Sequence, residues 1–139
     1  MTEVIRVDHK GGDLFEIGIR QHVVRVDQPT GSGGSDCAPT PTELFVASLA
    51  SCVAFYVRRF LSRHHLPVEG LSVSATFAMA ERPARVSEIT VSIDLPQGVP
   101  VERLPALVAV ASGCTVHNSL EAAPRVRIDV RREDRELVA

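Results

Sequence analysis

The chain has 139 residues, enough for one domain with a sizeable core, and we expect a single domain over 1–139. At 45% hydrophobic and 23% charged, with no low-complexity run or internal repeat, the composition is that of a globular protein. A formal net charge of -2 leaves no basic footprint for nucleic acid. Two local basic groups, Arg58, Arg59 and Arg63 and then Arg131, Arg132 and Arg135, have the spacing of solvated faces.

Met1-Thr-Glu-Val-Ile lacks the basic start and apolar core of a secretory leader. The apolar stretch from Leu44 to Val57 is short for a bilayer and diluted by serine, so it reads as a buried helix and no membrane is expected. The expected compartment is the cytoplasm, where thiols stay reduced. The three cysteines then point to redox chemistry or passive burial, not to a disulfide framework.

Along the chain, Val4–Val7, Phe15–Ile19 and Val23–Val26 have the character of three short strands, with Gly11-Gly12-Asp13 as the first turn. Asp27 to Asp36 is rich in Gly and Ser and is the candidate mobile loop. Thr40-Pro41-Thr42-Glu43 then supplies an N-cap hydroxyl, proline at the first helical position and glutamate three residues after the cap. The helix is expected to run to His64-His65 and stop before Pro67. Its small residues Ala47, Ser48, Ala50, Ser51 and Ala54 would admit a close neighbour. Leu71–Met79 and Ile89–Asp94 alternate as a hairpin turning around Arg82-Pro83-Ala84. Val101–Ser112 fits a second helix if Pro105 lies in its first turn, with Gly113 ending it. Arg125–Val130 is expected as a final strand, and the order of elements predicts an α+β domain.

Cys52 lies in the middle of the first apolar helix and Cys114 just after the second. Both can be ordinary core thiols, since free cysteine is among the most buried residue types. They can equally be a reactive thiol and its resolving partner, because the predicted helices are natural packing partners. Cys52 is some three turns inside its helix, so the dipole gives a thiolate little help and a cation must come from elsewhere, arginine being best suited. Cys37, in the Gly/Ser-rich loop, reads as an incidental exposed thiol. A metal could draw on Cys114-Thr-Val-His117, Cys52 and a further histidine, but no CxxC pair or HExxH accompanies them. No histidine is singled out as the base of a cysteine hydrolase. Gly31-Ser-Gly-Gly lacks the lysine and helix of a phosphate loop.

Pro39-Thr-Pro-Thr-Glu-Leu-Phe-Val-Ala-Ser-Leu-Ala-Ser-Cys52 resembles the osmotically inducible protein C / organic hydroperoxide resistance family, in which a proline-acidic-leucine helix start precedes a reactive cysteine. Gly113-Cys114-Thr-Val-His-Asn-Ser119 matches the second family mark, a cysteine and short polar turn after the second long helix. The order of elements agrees from about Val4 to Val130. The resemblance implies an OsmC-like α+β fold, with antiparallel sheets wrapped around two long central helices in an intertwined homodimer. It also implies a thiol peroxidase acting on organic hydroperoxides, with Cys52 as peroxidatic thiolate and Cys114 as resolving thiol. Dithiols, lipoylated proteins among them, would be the reductants, and no metal or bound cofactor is required. The family's catalytic arginine comes from the N-terminal strand region, where Arg20 is preferred over Arg25. Its acidic partner directly follows the helix-start proline in the peroxidase branches. Here Thr42 holds that position and Glu43 comes next, which a capping box also explains. The departure leaves a second expectation, a small-molecule-binding or thiol-sensing dimer without efficient turnover. A third reading is a purely structural dimer with inert buried thiols.

Overall fold

The computed structural model describes residues 3–132 and 136–138. The first unit is an antiparallel three-stranded sheet of β1 (Ile5–Gly11), β2 (Leu14–Ile19) and β3 (His22–Val26). Register is set by pairs such as Val7 with Ile17 and Glu16 with Arg25. This sheet packs chiefly on itself. Every residue of β1 is exposed and every residue of β2 only half-buried, although Ile5, Val7, Ile17 and Ile19 are apolar.

The Gly/Ser-rich loop is organised around Asp27, a carboxylate with 1% of its surface exposed. Its oxygens accept the backbone N–H groups of Gln28 at 2.7 Å and Cys37 at 3.0 Å. A short 3-10 turn, Thr30–Ser32, lies between, and a Cβ at Gly34 would collide with the Gln28 carbonyl. A segment that composition marks as mobile is therefore hydrogen-bonded into one shape around a buried anion.

Helix α1 (Pro41–Arg63) begins as the capping box requires. Thr40 Oγ1 accepts from Glu43 N at 3.0 Å, and Glu43 Oε1 accepts from Thr40 N at 2.8 Å. The buried positions Val46, Leu49, Val53, Val57 and Phe60 recur at three- and four-residue steps, joined by Leu61. They form one core face. By length and composition α1 is the one helix among the described residues that could cross a membrane, but this face is the centre of the core.

The hairpin of β4 (Ser72–Ala80) and β5 (Arg85–Asp94) covers α1, with Ile89, Val91 and Ile93 packed on the core. Its far end overhangs, leaving Phe77 and Met79 exposed. The expected second helix starts with a 3-10 turn at Val101–Arg103 and becomes α2 (Leu104–Ser112), with Pro105 in the first turn. Leu107 and Ala111 of α2 meet Leu49, Val53, Val57 and Leu61 in the core.

Two expectations change. Where a short polar turn is expected after Cys114, the chain forms a third helix, α3 (Thr115–Glu121), with Cys114 as its N-cap. The cysteine takes extended backbone angles and its sulfur accepts the His117 N–H, as a Ser or Thr cap would. The final strand is short, β6 (Asp129–Arg131) paired with β7 (Glu136–Val138), and most of the expected Arg125–Val130 strand is irregular. Alternating residues mark that stretch as strand-like, but among the described residues no neighbouring strand pairs with 125–128. Arg135 of the second basic group lies outside the described residues.

The fold leaves a large area open. A compact 15.0 kDa monomer exposes roughly 7,000 Å² by the usual scaling of surface with mass. This chain exposes 10516 Å². The excess on this one chain is about 3,500 Å². It includes Ile5, Val7, Val23, Phe55, Phe77, Met79 and Val108.

Candidate active site

Cys52 lies midway along α1, beside the core face formed by Leu49, Val53 and Val57, and is half-buried. Tyr56, one turn on, shares its side of the helix and packs with it against the core. Cys114 reaches the same place from the α2–α3 junction. Gly113 ends α2, the backbone turns, and the Cys114 side chain enters the core with none of its surface exposed. The two helices are tied together here by a hydrogen bond of 2.8 Å between the hydroxyls of Tyr56 and Thr115.

The thiols are neighbours. Burial pushes the Cys114 thiol above its ordinary range, and the nearby Cys52 thiol raises it further. The N–H groups of His117 and Val116 pull the other way. His117 N lies 3.4 Å from the sulfur. Burial prevails because desolvation of a thiolate outweighs two weak contacts to sulfur. The arrangement is asymmetric: a half-exposed thiol that a solute can reach, backed by a buried, protonated one.

A cleft of about 330 Å³ is lined by Leu49, Val53, Ile89, Val91, Val108 and His117, with other residues of β5 and α2. Neither cysteine lines it, and His117, whose N–H contacts the Cys114 sulfur, is its link to the pair. It shares Leu49, Ile89 and His117 with a second, more polar recess lined also by Phe45, Val86, Leu120, Ser87, Glu88 and Glu121. The walls of the first cleft are mainly apolar. The His117 ring, at the junction, pairs with Glu121 Oε1 at 3.2 Å.

The other sequence-predicted residues stand apart. Glu43 is exposed, at the start of α1, with its carboxylate engaged in the cap. Arg20 is exposed in the β2–β3 turn with a φ of 53°, and its side chain has no hydrogen bond or ion pair among the described residues. Arg25 is committed to Glu16 on the neighbouring strand at 2.9 Å. The single chain thus brings Cys52 and Cys114 together and leaves Arg20 and Glu43 at a remove. Cys37 is exposed, as expected. Among the described residues no three His, Cys, Asp or Glu side chains converge on a possible metal position. The His117 ring faces Glu121, while its backbone N–H addresses Cys114.

Sequence reasoning overlooked Tyr56 and Thr115. The signal was present but weak: a tyrosine four residues after Cys52 on one helix, and a hydroxyl directly after Cys114.

Residues 31–129 match the model of the OsmC-like protein family. No curated protein matches the chain. Among solved structures, the chain is similar to a protein from Psychrobacter arcticus described as an osmotic stress induced and detoxification response protein. The identity is 26% and the TM-score 0.78, over 86% of this chain and 88% of that one. An organic hydroperoxide resistance protein OsmC from Legionella pneumophila is 21% identical, with a TM-score of 0.60 over 86% and 89%. An OsmC-like protein from Mycoplasma pneumoniae is 14% identical, with a TM-score of 0.75 over 88% and 89%. With a family match over most of its length and the same α+β architecture, the chain belongs to the OsmC-like family.

Proposed function

We propose that this protein is a cysteine-based peroxidase that reduces organic hydroperoxides. The observation that carries the reading is the adjacency of half-exposed Cys52 and fully buried Cys114. Similar structures named as organic hydroperoxide resistance proteins add to it.

In the proposed cycle the Cys52 thiolate attacks the distal oxygen of ROOH. An S–O bond forms, the O–O bond breaks, and the alkoxide takes a proton and leaves as ROH. Cys52 is then a sulfenic acid. The Cys114 sulfur displaces its hydroxyl, releasing water and forming a Cys52–Cys114 disulfide. A dithiol, a lipoylated protein among the candidates, reduces that bond and becomes a disulfide itself. The apolar cleft that reaches His117, the residue next to Cys114 in space, is the proposed seat of the organic R group, which favours it over hydrogen peroxide.

The working unit in this reading is a homodimer, supported by the excess open surface and by a first sheet with little of its own chain to cover. Arg20 is the proposed cation for the Cys52 thiolate, and Glu43 the carboxylate that orients it. Both are exposed, and a second subunit offers a way to bring Arg20 to the site. The proposed location is the cytoplasm, where reductant is at hand.

The test is intact mass and free-thiol count before and after one equivalent of cumene hydroperoxide, followed by peptide mapping. A Cys52–Cys114 disulfide formed within seconds is expected, and Cys52→Ser should abolish peroxide consumption. Unchanged thiols, or equal activity in Cys52→Ser, would refute the reading. Thr42, at the position of the family's acidic residue, favours a second one, a thiol-sensing or small-molecule-binding dimer. That protein would form the same disulfide but show no sustained turnover with dithiothreitol or dihydrolipoamide.

A further inference from the structure

The C-terminal half of α1 carries a feature that the proposed peroxidase cycle does not use. Cys52, Tyr56, Arg59 and Arg63 follow one another at steps of four, three and four residues, so they form a single stripe along the helix. Tyr56, Arg59 and Arg63 line a recess of about 310 Å³, together with Phe60, His64 and Val110 of α2. At 1.5 Å per residue, Arg59 stands roughly 10 Å along the axis from Cys52.

Both guanidinium groups lack an acidic partner among the described residues. The sequence contains no Asp or Glu between Glu43 and Glu69. Like charges four residues apart destabilise a helix by about 0.2–0.5 kcal/mol, and an acid at one such position would relieve this. The helix dipole favours a cation in the last turn, which accounts for Arg63. It accounts less well for Arg59, one turn earlier. The Arg59 guanidinium is held 5.4 Å from the centre of the Phe55 ring. His64 stacks on Phe60 at 4.3 Å and its Nδ1 donates to the Phe60 carbonyl at 3.2 Å, leaving Nε2 as the open ring nitrogen. The recess therefore combines two planar cations that have no acidic partner among the described residues with an apolar wall of Phe60 and Val110.

We propose that this recess binds the carboxylate of a small amphiphilic organic acid. The guanidinium forks of Arg59 and Arg63 match a carboxylate's geometry, and the hydrocarbon portion lies against Phe60 and Val110. Binding needs neither peroxide nor thiol oxidation, so it stands or falls separately from the peroxidase reading.

Calorimetric titration of the reduced full-length protein with octanoate tests it. Saturable binding at one site per chain is expected, and Arg59→Gln and Arg63→Gln should each weaken it about tenfold or more. Arg58→Gln is the control, since Arg58 is turned about 100° from Arg59 around the helix and does not line the recess. It should leave affinity unchanged, and all three variants should stay folded, melting within a few degrees of the wild type. Octanol, which has the tail without the charge, should bind far more weakly. No saturation, equal binding of octanol, an equal loss in Arg58→Gln, or tighter binding of inorganic phosphate than octanoate would each overturn the assignment.

Discussion

The Tyr56 hydroxyl and the Thr115 hydroxyl meet at 2.8 Å, joining α1 to the first residue of α3 one turn beyond Cys52 and next in sequence to Cys114. This bond is a directional side-chain tie between α1 and α3 close to the thiols, alongside the His117 N–H that donates to the Cys114 sulfur from within α3. The hydrophobic packing around them is not directional. It fixes how α3, and with it the Cys114 cap, sits against the helix bearing Cys52.

Tyr56→Phe keeps the ring's packing and removes only this bond. Stability should fall by about 0.5–1.5 kcal/mol. Under the proposed cycle, the first oxidation of Cys52 should keep its rate while closure to the disulfide slows several-fold. Dimedone trapping over time after one equivalent of peroxide reads the sulfenic acid directly. A sulfenic lifetime equal to wild type would show that the bond has no part in aligning the thiols.

Glu43 offers a clean separation of two roles. Glu43→Gln preserves the capping box, because the amide oxygen still accepts from Thr40 N, so stability should change by less than about 0.5 kcal/mol. Thr40→Ala removes the cap hydroxyl and should cost about 0.5–2 kcal/mol. If the carboxylate also orients the proposed cation, Glu43→Gln slows Cys52 oxidation at unchanged stability. Equal oxidation rates in stopped-flow measurements would leave Glu43 as a helix cap alone.

Cys114 should shape the alkaline limb of stability. Its thiol lies above its usual value of 9.0, because burial and the Cys52 thiol oppose the anion. The folded state therefore holds that proton more tightly than the unfolded chain. The contribution is present below about pH 9 and is lost as pH rises toward the folded value. In urea titrations of the reduced protein between pH 8 and 10.5, Cys114→Ala should flatten the fall in stability, whatever its offset at neutral pH. An unchanged slope would place the alkaline transition on other groups.

Asp27 governs the opposite limb. The N–H groups of Cys37 and Gln28 hold its carboxyl below the ordinary 3.8. The unfolded chain then binds this proton more readily, so the stabilisation is present above the unfolded value and lost as pH falls through the folded one. Asp27→Asn should destabilise the protein at neutral pH and flatten its acid unfolding profile. It should also speed limited proteolysis between Gln28 and Cys37, because an amide offers one acceptor oxygen where the carboxylate offers two. Wild-type cleavage rates would show that the loop holds its shape without the anion.

Local chemistry was legible in the sequence wherever one segment contained the whole cause. The cap of α1 is visible in Thr40, Pro41 and Glu43, and the three N-terminal strands and the β4–β5 hairpin in their alternation. The apolar run from Leu44 to Val57 marks a buried helix. α3 was missed because its cap is a cysteine, which lies outside the usual capping residues, and because seven residues carry little periodicity. The Arg125–Val130 strand was overextended because alternation says nothing about whether a partner strand exists.

The sequence by itself determined most of the elements up to α2, the α+β class and the two cysteines, since hydrophobic period, caps and turn residues act over a few neighbours. Only the tertiary structure decided that Cys52 is half-exposed and Cys114 buried behind it. It also turned a Gly/Ser-rich loop into a frame around Asp27, and joined Tyr56 to Thr115 across 59 residues of chain. Burial, and with it the direction in which a thiol or carboxyl shifts, depends on what distant segments bring to the same place. A local pattern holds no information about that.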